Sequence, residues 1–101
     1  MRLCDFDVGL DKPLFLIAGP CVIESERHCL LMAEKLAEIG ERLDLDLIFK
    51  ASYDKANRTS GDSFRGPGIE EGLRILEKAR DQSGLPLISD VHETCQVPAA
   101  A

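Results

Sequence analysis

The residues best able to do chemistry are concentrated in one stretch. Lys50-Ala51-Ser52-Tyr53-Asp54-Lys55-Ala56-Asn57-Arg58-Thr59-Ser60, running on to Arg65-Gly66-Pro67-Gly68, places cations among small polar residues and glycines, directly after the apolar residues Leu45, Leu47, Ile48 and Phe49. The chain as a whole carries a net charge of −6. An acidic chain that gathers positive charge in one loop is suited to holding an anion there. Two ammonium groups ~5 Å apart repel by about 3 kcal/mol at an effective dielectric of roughly 20, a cost that a multiply charged anion between them removes. Arg58 adds a planar fork that matches phosphate, and Asn57, Thr59 and Ser60 add hydrogen-bond donors. Carboxylate and phosphate groups together would satisfy this set.

Other reactive types fall after other apolar runs. Cys21 follows Leu14-Phe15-Leu16-Ile17-Ala18-Gly19-Pro20, and Asp90 and His92 follow the run that begins at Leu85. Each has a plainer alternative. Lys55 and Arg65 could be solvated loop charges, whereas Lys50 ends a buried run, where a lysine is rarely structural. Cys21 alone could be a small buried apolar residue, and Cys29 lies on the apolar stripe of a helix. Asp90 could serve as a helix cap or turn residue. His92 could be a hydrogen-bonding partner at the sheet end instead of a reactive group. Cys4 and Cys95 suggest no role.

The elements that position these residues can be read from periodicity and caps. Residues 1–12 read as a short hairpin or lead-in closed by Asp11-Lys12-Pro13. Leu14–Ala18 is apolar at every position, which predicts a strand buried on both faces, as in a parallel sheet. Ser25 is a candidate N-cap with Glu26 in the first turn. Cys29, Met32, Ala33, Leu36 and Ala37 then mark the inner face of a helix that ends between Gly40 and Asp44. A second strand covers Leu45 to about Ala51. A second helix starts at Gly66-Pro67-Gly68, turns Ile69, Leu73 and Leu76 inward, and is closed by Gly84. A third strand spans Leu85 to Val91, and Val97 begins a third helix. The predicted order is β-α-β-α-β, with crossovers long enough for parallel strands.

Catalytic groups in such folds collect at the C-terminal ends of strands, where Cys21, Lys50–Arg58, Asp90 and His92 fall. Three parallel strands leave two open edges. A (β/α)₈ barrel typically runs to ~250 residues. Residues 1–101 are therefore expected to be the N-terminal portion of a single TIM-barrel domain in a larger protein.

Composition excludes several classes. The chain is 45% hydrophobic and 30% charged, ordinary for a globular protein. Its acidic balance argues against nucleic-acid and anionic-membrane partners. No apolar run approaches the ~20 residues of a membrane span, and no secretory leader pattern is visible. Four scattered cysteines without a CxxC pair suggest reduced thiols and a cytoplasmic setting. No G-x-G-x-x-G or P-loop pattern supports nucleotide binding.

Four motifs together carry a family resemblance. Ile17-Ala18-Gly19-Pro20-Cys21-Val22-Ile23-Glu24-Ser25, the run Phe49 to Ser60, Arg65-Gly66-Pro67-Gly68-Ile69-Glu70-Glu71-Gly72-Leu73 and Ser89-Asp90-Val91-His92-Glu93 closely resemble the 3-deoxy-D-manno-octulosonate 8-phosphate synthases, from about Leu14 to Gln96. The resemblance implies a (β/α)₈ barrel that condenses phosphoenolpyruvate with arabinose 5-phosphate and water, in the pathway to lipopolysaccharide. It also implies a cytoplasmic homotetramer in which a neighbouring subunit completes the sugar-phosphate site.

By the same resemblance, Lys50, Ser52 and Lys55 contact phosphoenolpyruvate. Asn57, Arg58 and Thr59 contact arabinose 5-phosphate, with Arg58 and Thr59 at its phosphate. Asp90 holds the sugar hydroxyls near the reacting carbon, and Lys50, Lys55, Asn57 and Asp90 form the catalytic set. Cys21 stands where members that use a divalent metal have cysteine and metal-independent members have asparagine. The other ligands implied, a histidine, a glutamate and an aspartate, belong to later strands, and His92 is not among them. The metal would orient the aldehyde or water and assist its deprotonation.

Two rivals stand beside this reading. The 3-deoxy-D-arabino-heptulosonate 7-phosphate synthases share a Gly-Pro-Cys run on the first strand and a lysine–arginine–threonine–serine motif on the second; Ala56-Asn57 before Arg58 favours the octulosonate enzymes. The other rival is a phospho-ligand-binding or assembly module without catalysis, which the missing later ligands and open sheet edge favour for the 101-residue chain on its own.

Overall fold

The computed structural model describes residues 1–54 and 66–101. A short antiparallel hairpin, β1 (Arg2–Leu3) and β2 (Phe6–Asp7), opens the chain. The Met1 ammonium and the Val8 N–H close it by bonding each other's carbonyls, and Phe6 leans on Phe15 with ring centroids 5.7 Å apart. The rest is β3 (Phe15–Ala18), α1 (Glu26–Leu43), β4 (Asp46–Lys50), α2 (Ile69–Ser83), β5 (Leu87–Ile88), a 3₁₀ turn at Thr94–Gln96 and α3 (Val97–Ala100).

Strands β3, β4 and β5 form one parallel sheet in that order. The register pairs Ile17 with Ile48, Phe49 with Leu87, and Lys50 with Ile88. This is the β-α-β-α-β order predicted from the apolar periodicities.

The caps show why the helices fall where they do. Ser25 Oγ accepts the His28 N–H at 3.1 Å, satisfying one of the free donors of the first turn. Asp44, in the left-handed region at φ 52°, ends α1. Gly84 does the same for α2 at φ 76°, a conformation without penalty for a residue lacking Cβ.

Both helices pack against one core. Cys29 and Ala33 of α1, Ile75, Leu76 and Ala79 of α2, Phe49 and Ala51 at β4, and Ile23 between β3 and α1 are all buried there, with Leu87 against them. The second helix's inner face is therefore wider than Ile69, Leu73 and Leu76 suggested. Outside the core, Glu26 of α1 meets Lys78 at 2.9 Å and Arg74 at 3.3 Å on α2, tying the helices' polar surfaces together.

Two expectations need correction. The first strand is not buried on both faces, since Leu16 and Ile17 are 39% and 48% exposed. β3 has a strand neighbour on one side only, and the core helices cover one face, the face of Phe49 and Leu87. The face shared by Ile17, Lys50 and Ile88 lies opposite. The third strand is also shorter than Leu85–Val91. Pro86 has no N–H for the ladder and only its carbonyl takes part, accepting from Phe49 at 2.8 Å. Pairing then stops at Ile88, because its partner Lys50 is the last residue of β4.

Candidate functional site

The polar groups at the ends of β4 and β5 converge. Lys50 is the final residue of β4 and points away from the helix-covered face, in register with Ile88. Its Nζ lies 3.5 Å from Asp90 Oδ1, two residues past β5. Both side chains remain open to solvent, 35% and 46% exposed, so the pair can admit a charged ligand.

Backbone packing holds Lys50 in place. A Cβ built on Gly19 would lie 1.8 Å from the Lys50 carbonyl oxygen, so only glycine lets β3's end run this close to β4's. Beyond the sheet proper the two chains stay together. Val22 bridges Ser52, the Ser52 N–H donates to the Cys21 carbonyl at 3.2 Å, and the Ile23 N–H donates to the Ser52 carbonyl at 2.9 Å. Cys21 and Ser52 thus sit side by side at neighbouring strand ends, with Cys21 exposed and Ser52 buried.

Ser52 sets the protonation geometry of its neighbours. Its hydroxyl donates to the Asp54 carbonyl at 2.7 Å, and the Asp54 N–H donates back to Ser52 Oγ at 3.2 Å. With that proton committed, the 3.4 Å contact between Ser52 Oγ and His92 Nε2 is a hydrogen bond only if Nε2 carries the hydrogen. The same Nε2 lies 3.4 Å from Asp90 Oδ2. His92 therefore bridges Ser52 and Asp90. Burial by itself pushes the Asp90 carboxyl up. Its own backbone N–H, the Lys50 ammonium and His92 outweigh that and hold it below its ordinary range.

Of the residues singled out from sequence, Lys50, Ser52 and Asp90 are brought together, and Cys21 adjoins them through the backbone. Lys55, Asn57, Arg58 and Thr59, with Arg65, lie outside the described residues. His92 proves to be the hydrogen-bonding partner that was one of its two readings. Sequence reasoning missed Tyr53 and Gln96. Tyr53 is fully buried, packs its ring edge-on to His92 with centroids 5.5 Å apart, and donates its hydroxyl to Gln96 Oε1. The available signal was an aromatic residue inside an otherwise polar loop. A groove of about 300 Å³ between α2, β5 and α3, lined by Leu73, Arg80 and Ala100 among others, contains none of the site residues.

A divalent ion would find one suitable donor in Cys21, an exposed thiol beside Ser52. Among the described residues no three of His, Cys, Asp and Glu come together as a complete ligand set.

Fold and site together define an α/β protein of successive parallel β-α-β units that gathers its polar chemistry at strand C-termini. Residues 4–101 match the profile of the DAHP synthetase I family, and the chain belongs to that family. It is 63% identical over 93 residues to a 2-dehydro-3-deoxyphosphooctonate aldolase of Xanthomonas campestris pv. campestris, a match covering 92% of this chain and 34% of that protein. A protein of the same name from Stenotrophomonas maltophilia is 61% identical over 93 residues, covering 92% of this chain and 34% of its own. Another from Acidithiobacillus ferrooxidans is 59% identical over 101 residues, 100% of this chain and 36% of its own. The chain spans about a third of the length of the curated relatives it matches. No described helix is long and apolar enough to cross a membrane.

Proposed function

We propose that the gene product containing this chain condenses phosphoenolpyruvate with arabinose 5-phosphate and water, giving 3-deoxy-D-manno-octulosonate 8-phosphate and inorganic phosphate. The observation that carries the reading is the convergence of Lys50, Ser52 and Asp90 at adjacent strand ends, in a chain 59–63% identical to proteins named 2-dehydro-3-deoxyphosphooctonate aldolase. Carbon 3 of the enol phosphate bonds to the sugar aldehyde carbon, whose oxygen gains a proton. Water adds at carbon 2, and the carbon 2–phosphate oxygen bond then breaks to release phosphate.

Lys50, with Lys55, faces the carboxylate and phosphate of the enol substrate and stabilises charge that develops in the transition state. Ser52 orients the same substrate. Asn57, Arg58 and Thr59 receive arabinose 5-phosphate, the last two at its phosphate. Asp90, kept ionised by its neighbours, accepts the sugar's hydroxyls beside the reacting carbon. In this reading the protein is a cytoplasmic (β/α)₈ barrel and homotetramer of the metal-using subclass. Cys21 holds a divalent ion with ligands from outside this chain, and the ion supplies Lewis acidity toward the aldehyde or water.

Assay of the complete gene product with phosphoenolpyruvate tests the reading. Phosphate release is expected with arabinose 5-phosphate in preference to erythrose 4-phosphate; the opposite preference would assign the chain to the heptulosonate enzymes. The 101-residue chain by itself is expected to release none.

A further inference from the structure

Tyr53 is held at several points. Its ring is fully buried, and a Cβ on Gly72 would come 2.3 Å from Tyr53 Cβ, so α2 lies directly against it. Its carbonyl accepts the Gly68 N–H at 3.1 Å. Its hydroxyl reaches across to the far strand end, where it donates to Gln96 Oε1. That oxygen also accepts the backbone N–H of His92 at 3.1 Å. Gln96 is itself fixed in the 3₁₀ turn through its N–H, which donates to the Glu93 carbonyl at 3.0 Å. A carbonyl oxygen has two lone pairs, and here both are used.

We propose that Gln96 is a positioning residue: by taking the Tyr53 hydroxyl and the His92 N–H on one oxygen, it fixes His92 where its Nε2 stands 3.4 Å from both Ser52 Oγ and Asp90 Oδ2. The proposal rests on the reading of Ser52 and Asp90 as substrate contacts. No atom of Gln96 need touch substrate. Its carboxamide locks the segment after β5 to the segment after β4, and so sets the spacing between the group that orients the enol phosphate and the carboxylate that holds the sugar. Such supporting contacts govern how closely a site keeps its productive geometry.

The chain offers a direct reporter, because Tyr53 is its only tyrosine and it contains no tryptophan. In the complete gene product, near-ultraviolet difference titration against the matching Tyr53→Phe variant reads the Tyr53 hydroxyl alone. Gln96→Met keeps the length and removes the acceptor. It is expected to lower the Tyr53 midpoint, since the neutral phenol loses the acceptor that favours it. Gln96→Glu keeps an acceptor and adds negative charge, and is expected to raise the midpoint.

In the complete gene product, Gln96→Met is expected to weaken phosphoenolpyruvate binding or turnover by roughly tenfold, with most of the loss recovered in Gln96→Glu. Tyr53→Phe, which leaves the His92 N–H bonded to Gln96, is expected to fall between them, and covers the case where Gln96→Met does not fold. An unmoved midpoint in Gln96→Met, or a moved midpoint with unchanged binding and turnover, overturns the proposal. Failure of the wild-type gene product to release phosphate with arabinose 5-phosphate is a different result: it overturns the functional reading, while calorimetric binding of phosphoenolpyruvate to the variants still decides the role of Gln96. A wild type that does not bind phosphoenolpyruvate overturns both.

Discussion

Lys50 Nζ and Asp90 Oδ1 lie 3.5 Å apart across the ends of two neighbouring parallel strands. An ammonium that a phosphate could claim already has an anionic neighbour, and the carboxylate is held ionised in return. Both groups are solvent-accessible, so the pair adds little as a structural clamp; under the proposed function it presents opposite charges to a substrate carrying both anionic and hydroxyl groups.

The Asp90 carboxylate, held ionised first by its own backbone N–H and then by charges such as Lys50, predicts a pH dependence of stability. The folded state holds Asp90 below its ordinary value of 3.8, so the unfolded chain binds the proton more readily. The contribution is complete above the unfolded value and is lost as pH falls through the lower folded one. With both side chains at least a third exposed, it is expected to be under about 1 kcal/mol. Urea unfolding of wild type and Asp90→Asn checks this: the variant is less stable at neutral pH, and the gap narrows once pH drops below the folded value. A gap of constant size down to that acid range would show that the carboxylate charge is not its source.

Lys50 can be separated from its neighbours by charge alone. Lys50→Met keeps the stem and removes the ammonium. A charged hydrogen bond to a ligand is worth about 1.5–3 kcal/mol, so phosphoenolpyruvate affinity of the complete gene product is expected to fall roughly tenfold or more. Calorimetric titration gives the value directly. Unchanged affinity would remove Lys50 from the enol-phosphate site.

Gly19 tests whether the strand spacing matters to the fold. Alanine there would place a Cβ 1.8 Å from the Lys50 carbonyl oxygen. The contact is with backbone, which no rotamer change relieves, so the β3–β4 pairing must shift. Gly19→Ala is expected to destabilise the chain by several kcal/mol, among the larger single-site effects. Thermal unfolding of the variant checks it, and a melting temperature near that of wild type would show that the strands part cheaply.

What the sequence made legible was whatever repeats or caps. The spacing of Cys29, Ala33, Leu36 and Leu76, the Ser25 cap and Gly84 gave the helices, and the apolar runs gave the strand order. Lys50 and Asp90 could be found because each lies at or just past a strand end, and Ser52 through the family resemblance. Burial of Leu16 and Ile17 was misjudged because an apolar run fixes what a strand prefers, not what covers it. The Tyr53–Gln96 bond joins residues 43 positions apart, and no local pattern encodes a pairing between two separate loops. The close approach of Gly19 to Lys50 depends likewise on strand register, which appears only once the sheet forms.

The four thiols provide a last test, of burial and of metal binding together. Cys29 is fully buried and its thiol is pushed up to about 11 by that burial, so at mildly alkaline pH roughly one molecule in a thousand carries the thiolate. Cys4, Cys21 and Cys95 are exposed. Since the thiolate is the reacting species, a disulfide-exchange reagent is expected to modify three thiols promptly and the fourth only in denaturant; prompt loss of all four would mean that the core around Cys29 opens readily. Cys21→Asn removes one prompt thiol and identifies its rate. If Cys21 is a metal ligand, a divalent ion such as zinc added to the complete gene product slows that one reaction and leaves those of Cys4 and Cys95 unchanged, because a coordinated thiolate is no longer free to attack. Equal slowing at all three sites would mark nonspecific binding, and no slowing at Cys21 would take it out of the metal site.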